Sequence, residues 1–209
     1  MTLLSRHKPV KALGALALAA IVLGGVLAAW SVPVLHNALS GTSPGMAPDV
    51  CVVAPPTPYD PASGLPLTAP RVVPADARCP VCGMYPARSR DWAAQVILGN
   101  GDAQFFDSPL SLFVYLHDVA RYSQGHHADD IVASYVSDAD NGHWVPARNA
   151  TYVHGSSARG PMRTGNLPAF AEAAAAQRFV RAHGGELLSA SDVTPELLHG
   201  LRATAAHGH

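Results

Sequence analysis

Three sulfur-bearing side chains lie within six residues of one another, at Cys79, Cys82 and Met84. Thiolate and thioether sulfur atoms select soft metal ions such as Cu(I), whereas carboxylate oxygens select magnesium or calcium. A loop as short as this one can direct all three sulfur atoms at a single ion. The segment therefore predicts a Cu(I) site formed by residues 79–84.

The histidines supply candidates for a third ligand. Two or three soft ligands are sufficient for Cu(I), and an open site lets the ion be passed on to another protein. The chain has 11 histidines. His154, at the end of a predicted strand, is a candidate ligand, together with His143 beside Trp144.

A Cys-x-x-Cys pair also occurs in three other kinds of site, and these alternatives stay open. In a thiol-disulfide redox pair one thiol has a lowered pKa, but such pairs precede a helix, and here Pro86 follows closely. A structural zinc site needs four ligands, two of which would have to be histidines. A disulfide between Cys79 and Cys82 would block soft-metal binding until it is reduced.

The N-terminal region has the pattern of a membrane anchor. An uncharged apolar run over residues 12–35 follows a short tail, residues 1–11, that contains Arg6, Lys8 and Lys11. The run is long enough to cross the ~30 Å hydrocarbon core of a bilayer, and the positive charge ahead of it keeps the tail in the cytoplasm. We therefore predict a single N-terminal pass through a bacterial inner membrane, with the rest of the chain facing the periplasm. A cleaved signal peptide is the alternative.

Between the anchor and the metal loop lies a proline-rich stretch, residues 40–75, which contains Cys51. Proline donates no backbone hydrogen bond and disfavours helices and sheets, so we predict a semi-extended linker. Cys51 is explained as a free thiol or as a disulfide partner. Residues 76–192 then form the folded domain, and residues 193–209 are predicted to be a C-terminal tail.

The first part of the domain has a strand-strand-helix-strand pattern. Strands are predicted at residues 92–98, 103–106 and 131–137. The helix begins at Ser108 and Pro109, an N-cap followed by proline at the first helical position. Asp107 is explained by the helix that it precedes.

The same order of elements recurs in the second part of the domain. Strands are predicted at residues 144–147, 150–154 and 186–190, with a helix that begins near Asn166 and ends at Gly184. The predicted fold class is α+β, with two similar strand-strand-helix-strand modules after an N-terminal transmembrane helix and a Pro-rich linker.

The composition argues against two other classes of function. The net charge is −1 and lysine occurs only at Lys8 and Lys11, so the chain lacks the basic stripe that binds DNA or RNA phosphates. Ser156 and Ser157 lack the glycine-framed turn of a hydrolase, and no glycine-rich phosphate loop follows a predicted strand. We therefore predict neither nucleic-acid binding nor an enzyme.

Four segments of the domain carry a resemblance to a known family. They are Cys79–Met84, Gly101–Asp107, Gly160–Phe170 and Gly184–Leu188. They resemble the NosL family, the copper-binding accessory proteins of nitrous oxide reductase. The resemblance covers about residues 76–192 and implies that Cys82 and Met84 form the copper-binding pair. It also brings in Met162 as a candidate ligand, in a motif where Arg163 stands in place of the family's usual glycine.

The resulting hypothesis is a periplasm-facing Cu(I) chaperone, with Cys82, Met84, Cys79, His154 and Met162 as candidate metal residues. As the resemblance implies, it delivers copper to nitrous oxide reductase during that enzyme's maturation, beside a membrane maturation complex. The alternative is a periplasmic thiol-disulfide redox protein that uses the Cys-x-x-Cys pair. The two differ in their dependence on Met84, since a thioether binds copper but takes no part in thiol exchange.

Overall fold

The computed structural model describes residues 54–163 and 167–206, which lie within the second of the two units into which the chain divides, residues 51–209. The predicted anchor over residues 12–35 lies outside the described residues, as do Cys51 and Asn166. Within the described ranges, no helix is both long enough and apolar enough to span a bilayer.

Antiparallel strands form the first sheet, in the order β2-β1-β3-β4. The strands are β1 (Ala94–Leu98), β2 (Ala103–Phe106), β3 (Ile131–Ser137) and β4 (Trp144–Pro146). Two helices connect β2 to β3, namely α1 (Pro109–His117) and the short α2 (Val119–Tyr122). Helix α1 begins where the sequence predicts, because the Ser108 hydroxyl accepts a hydrogen bond from the Ser111 N–H at 3.3 Å.

Residues 54–75, the described part of the predicted linker, pack on this sheet instead of extending freely. Thr57 forms an antiparallel bridge with Ala103 of β2. The Arg71 N–H donates to Gln95 Oε1 at 2.7 Å, and the Gln95 amide donates back to the Arg71 carbonyl at 2.9 Å. Val73 is buried in the same cluster as Ile97. The prolines prevent a regular ladder here, and side chains of the sheet pair with the backbone groups that remain.

In the described part of the chain, the second sheet has three strands, in the same relative order as the first three strands of the first sheet. It contains β5 (Thr151–His154), β6 (Ala169–Phe170) and β7 (Glu186–Leu188) in the order β6-β5-β7, with helix α3 (Ala173–His183) between β6 and β7. In both sheets the first strand lies centrally and pairs antiparallel with the next two in the chain. The structure therefore has two strand-strand-helix-strand modules, in a mixed helix and sheet fold.

The second strand-strand-helix-strand module differs from the prediction at two places. The sequence predicts that strand β4 begins the second module. It belongs to the first sheet because it pairs with β3, with Val145 opposite Val136. Helix α3 begins at Ala173, later than the predicted start near Asn166, because the chain first forms β6, in which Ala169 pairs with Tyr152. Burial of Ala169 and Tyr152 on the sheet outweighs the earlier helix start that Asn166 and Pro168 favour.

The predicted C-terminal tail over residues 193–209 is largely a helix, α4 (Pro195–Ala206), in the described structure. The Thr194 hydroxyl accepts a hydrogen bond from the Leu197 N–H at 3.3 Å, and Pro195 follows as the first helical residue. Leu198 and Leu201 are buried on the side of α4 that contacts α1. The sequence carries the same start signal here as at Ser108.

One apolar core joins the two sheets to helices α1 and α4. Its buried side chains come from β1, β2, α1, β3, β5, β6 and α4, and include Val96, Phe106, Tyr115, Val136, Tyr152, Ala169 and Leu201. Cys79, from the predicted metal loop, is a fully buried member of the same core. The loop is therefore anchored by its first cysteine at the place where the elements of the domain meet.

Candidate metal centre

The Cys79–Met84 segment is a closed turn. The Cys79 N–H donates to the Met84 carbonyl at 2.9 Å, and the Gly83 N–H donates to the Cys79 carbonyl at 2.8 Å. Gly83 has a φ of 74°, a left-handed conformation that glycine adopts at little cost. The turn thereby fixes Cys82 close to the buried Cys79.

The two cysteines of the turn differ in exposure. Cys79 has no accessible surface, whereas Cys82 is half-buried. Both are free thiols. Cys79 therefore anchors the turn, and Cys82 is the thiol that an incoming ion can reach.

Asp107 completes a cluster that the sequence analysis missed. The ligand atoms of Cys79, Cys82 and Asp107 all lie within 4.8 Å of one another. The Cys82 thiol donates to Asp107 Oδ1 at 3.2 Å, and the other carboxylate oxygen is buried without a hydrogen-bond partner among the described residues. Ser108 already caps helix α1. Asp107 is therefore not needed as the helix cap. A carboxylate beside a helix that already has its cap was the signal in the sequence for a second role.

The surroundings of Cys82 keep its thiol protonated. The hydrogen bond with Cys79, burial, and the nearby negative charge of Asp107 all raise the pKa of the Cys82 thiol far above its ordinary value. Reactive thiols of redox enzymes have the opposite shift, toward a thiolate at neutral pH. A cation that displaces this proton would offset the charge repulsion, since it supplies positive charge beside the thiolate and the carboxylate.

Cys82 opens onto a cavity of about 210 Å³ between α1 and α4. Its walls include Val81, Leu110, Ser111, Val114, Leu201 and Arg202. Met162 lines the same cavity and is 46% exposed. The fold therefore brings Met162 near Cys82, although the two residues are far apart in sequence. Arg163 follows with a φ of 58°, a conformation that glycine adopts more readily.

Met84 is part of the turn, whereas His154 and His143 lie on other segments of the fold. Met84 is 39% exposed at the end of the turn. His154, on β5, contacts Glu186 of β7 through its Nδ1 at 3.0 Å and is not a member of the cysteine cluster. His143 lies in the exposed turn before β4.

Comparison with known proteins gives a consistent result. The family model NosL matches residues 70–198. The curated copper-binding lipoprotein NosL of Achromobacter cycloclastes is 29% identical over 116 residues, which are 50% of this chain and 57% of that protein. The chain thus spans a little over half the length of the curated relative it matches. That relative is named for copper binding and for no enzymatic activity.

Two solved structures are also similar to this chain. The crystal structure of the copper chaperone NosL from Shewanella denitrificans has a TM-score of 0.53 at 22% identity, and the match covers 63% of this chain and 99% of that one. The solution structure of apo-NosL from Achromobacter cycloclastes has a TM-score of 0.38 at 29% identity, and the match covers 50% of this chain and 87% of that one. The Shewanella structure supports the fold.

The first prediction concerns the Cys82 thiol. Asp107→Asn removes the negative charge that faces Cys82, so the pKa of the thiol should fall and alkylation by iodoacetamide at pH 8 should accelerate. The thiolate fraction should rise about tenfold for each unit by which the pKa falls, and the alkylation rate by about threefold, because a less basic thiolate is a weaker nucleophile. Peptide mapping by mass spectrometry would assign the modified thiol in the reduced full chain. Asp102→Asn, a change at the other end of β2, is the control, and an equal rate in the two variants would contradict the account.

Proposed function

The chain belongs to the NosL family, and we propose that it binds one Cu(I) ion at the Cys79–Met84 turn and transfers it to another protein. The observation that carries the proposal is the position of Cys82, half-buried beside Cys79 and Asp107 and open to a cavity that contains Met162. Sulfur atoms on two sides of a partly open space suit a soft ion that enters and leaves.

We assign the residues of this site different roles. The Cys82 thiolate is the principal ligand, because it is the reachable thiol of the cluster. Met84 and Met162 supply uncharged thioethers, which bind Cu(I) without the strong hold of a second thiolate. The Cys79 sulfur lies within 4.8 Å of the Cys82 sulfur, close enough for both to bind one ion, but Cys79 is also needed to anchor the turn. His154, held by Glu186, is left out of this ligand set.

Uptake of the ion then follows as an exchange of cations. Cu(I) bonds to the Cys82 sulfur, and the thiol proton leaves, first along its hydrogen bond to Asp107 and then to solvent. The product is a neutral copper thiolate beside one carboxylate, so the charge of the cluster does not change. Release reverses the step when an acceptor supplies stronger soft ligands at the exposed thioethers.

The thiol-disulfide alternative fits the geometry less well. In a redox pair the exposed, attacking thiol needs a lowered pKa, whereas the pKa of Cys82, the reachable thiol here, is raised by Cys79, by burial and by Asp107. The turn is followed by two short 3₁₀ segments, Pro86–Arg88 and Arg90–Trp92, and not by the N-terminus of an α-helix that would stabilise a thiolate. Copper binding does not require a thiolate in the free protein, since the ion replaces the proton.

For the location of the chain and the protein that receives the copper, we propose what the sequence predicts. Residues 12–35 anchor the chain in the bacterial inner membrane with the domain facing the periplasm, and the recipient is nitrous oxide reductase with its membrane maturation complex. The family resemblance supports the choice of recipient, and a curated relative that is named a lipoprotein supports attachment to a membrane, although there through a lipid and not through a helix.

A titration tests copper binding. We expect the reduced, oxygen-free full chain in neutral detergent to take one Cu(I) ion from bathocuproine disulfonate. Cys82→Ser should abolish uptake, and Met84→Leu should weaken it about tenfold, equivalent to about 1.4 kcal/mol. Because the free thiol is protonated throughout the neutral range, the affinity should rise about tenfold per pH unit. Cys51→Ser is the control. A chain that does not compete with the chelator would refute the proposal.

A second experiment tests the recipient. Cells that lack this chain should produce nitrous oxide reductase with a reduced copper content, because the ion no longer reaches the enzyme's sites. Metal analysis of the purified enzyme, with the wild-type chain and Cys82→Ser each restored, measures the effect. Full copper content in the absence of the chain would show that this enzyme is not the recipient.

A further inference from the structure

Two arginines share one aromatic ring beside the metal turn. The guanidinium carbon of Arg78 lies 4.3 Å from the centroid of the Tyr85 ring, and that of Arg88 lies 4.5 Å from the same centroid. Arg78 also donates to the Tyr85 hydroxyl and, at 3.3 Å, to the Gly83 carbonyl. We call Arg78, Tyr85 and Arg88 the Arg-Tyr-Arg cluster.

The cluster holds two like charges close together. Both guanidinium groups lie within a few ångströms of one ring, so they are separated by less than one Debye length, ~10 Å at 0.1 M salt. Attraction to the electron-rich ring face offsets part of their repulsion. Among the ion pairs of the described residues, none includes either arginine. Both side chains are exposed, so their charge is available to an approaching molecule.

The position of the cluster relates it to copper transfer. Arg78 directly precedes Cys79, and Tyr85 directly follows Met84. The backbone bond that closes the turn, from the Cys79 N–H to the Met84 carbonyl, brings these flanking residues together. The ring that both guanidinium groups contact therefore belongs to the residue after Met84, the exposed thioether at which an acceptor would meet the ion.

From this arrangement we propose that the Arg-Tyr-Arg cluster is a docking point for an acceptor protein that carries acidic groups around its copper-receiving residues. The inference rests on the proposed function and names the chemistry of the partner surface. The net charge of the chain is −1, so the chain as a whole does not attract an acidic partner and a local group of positive charges is needed. Such fixed charges accelerate encounter and orient the partner, and their effect weakens as salt is added.

The test compares two acceptors that share one chelating core. Cu(I)-loaded full chain is mixed with a large excess of bathocuproine disulfonate, which is anionic, or of neocuproine, which is uncharged, and transfer is followed by stopped-flow absorbance. The double variant Arg78→Gln, Arg88→Gln should slow transfer to the anionic acceptor about tenfold, within the range of electrostatic steering. Transfer to neocuproine and the Cu(I) affinity should be unchanged. Arg148→Gln, Arg181→Gln removes two exposed arginines elsewhere and is the matched control.

Each outcome decides between explanations. Salt-dependent slowing confined to the anionic acceptor supports the docking role. Equal slowing with both acceptors, or no slowing, would overturn it while leaving copper binding intact. A weakened Cu(I) affinity in the double variant would assign the arginines to the metal site and would also overturn the docking role. If the wild-type chain takes up no Cu(I), the proposed function fails first, and this inference fails with it.

Discussion

Closure of the Cys79–Met84 turn is the constraint on which the rest of the site depends. Its two backbone hydrogen bonds, 2.9 and 2.8 Å long, join residues on either side of Cys82. Because Cys79 is buried in the core, the turn has little freedom to move away from Asp107. The Cys82 thiol is thus held against a carboxylate at 3.2 Å, in surroundings that disfavour loss of its proton without a replacement cation. A soft monovalent ion is such a replacement.

The fold explains why only one side of this cluster is open. Cys79 and Asp107 face the core that joins the two sheets, and both are almost fully buried. The cavity in front of Cys82 lies between α1 and α4, with Met162 at its edge. Helix α4 is therefore part of the site, since Leu201 and Arg202 form part of the wall opposite α1. An ion can enter and leave past the exposed thioethers without disturbing the core.

Local signals predicted much of this structure from the sequence. The short loop at residues 79–84, the cap at Ser108 and the strands of the first sheet depend on neighbours in the chain, so local sequence signals were sufficient to place them. The role of Asp107 depends on a contact with Cys82 across 25 positions, which a helix-start signal conceals. The packing of Arg71 against Gln95 and the pairing of β4 with β3 are likewise tertiary contacts. Helix α4 was missed although Thr194 and Pro195 repeat the signal at Ser108 and Pro109.

X-ray absorption at the copper edge of the Cu(I)-loaded full chain tests the central claim most directly, because it identifies the atoms bound to the ion. The account predicts a first shell dominated by sulfur, with at least two sulfur scatterers from the turn and its cavity. It also predicts that the sulfur contribution falls when Met84 is replaced by leucine and is unchanged when His154 is replaced by glutamine. A first shell of nitrogen and oxygen alone would contradict the account and would place the bound copper away from the Cys79–Met84 turn.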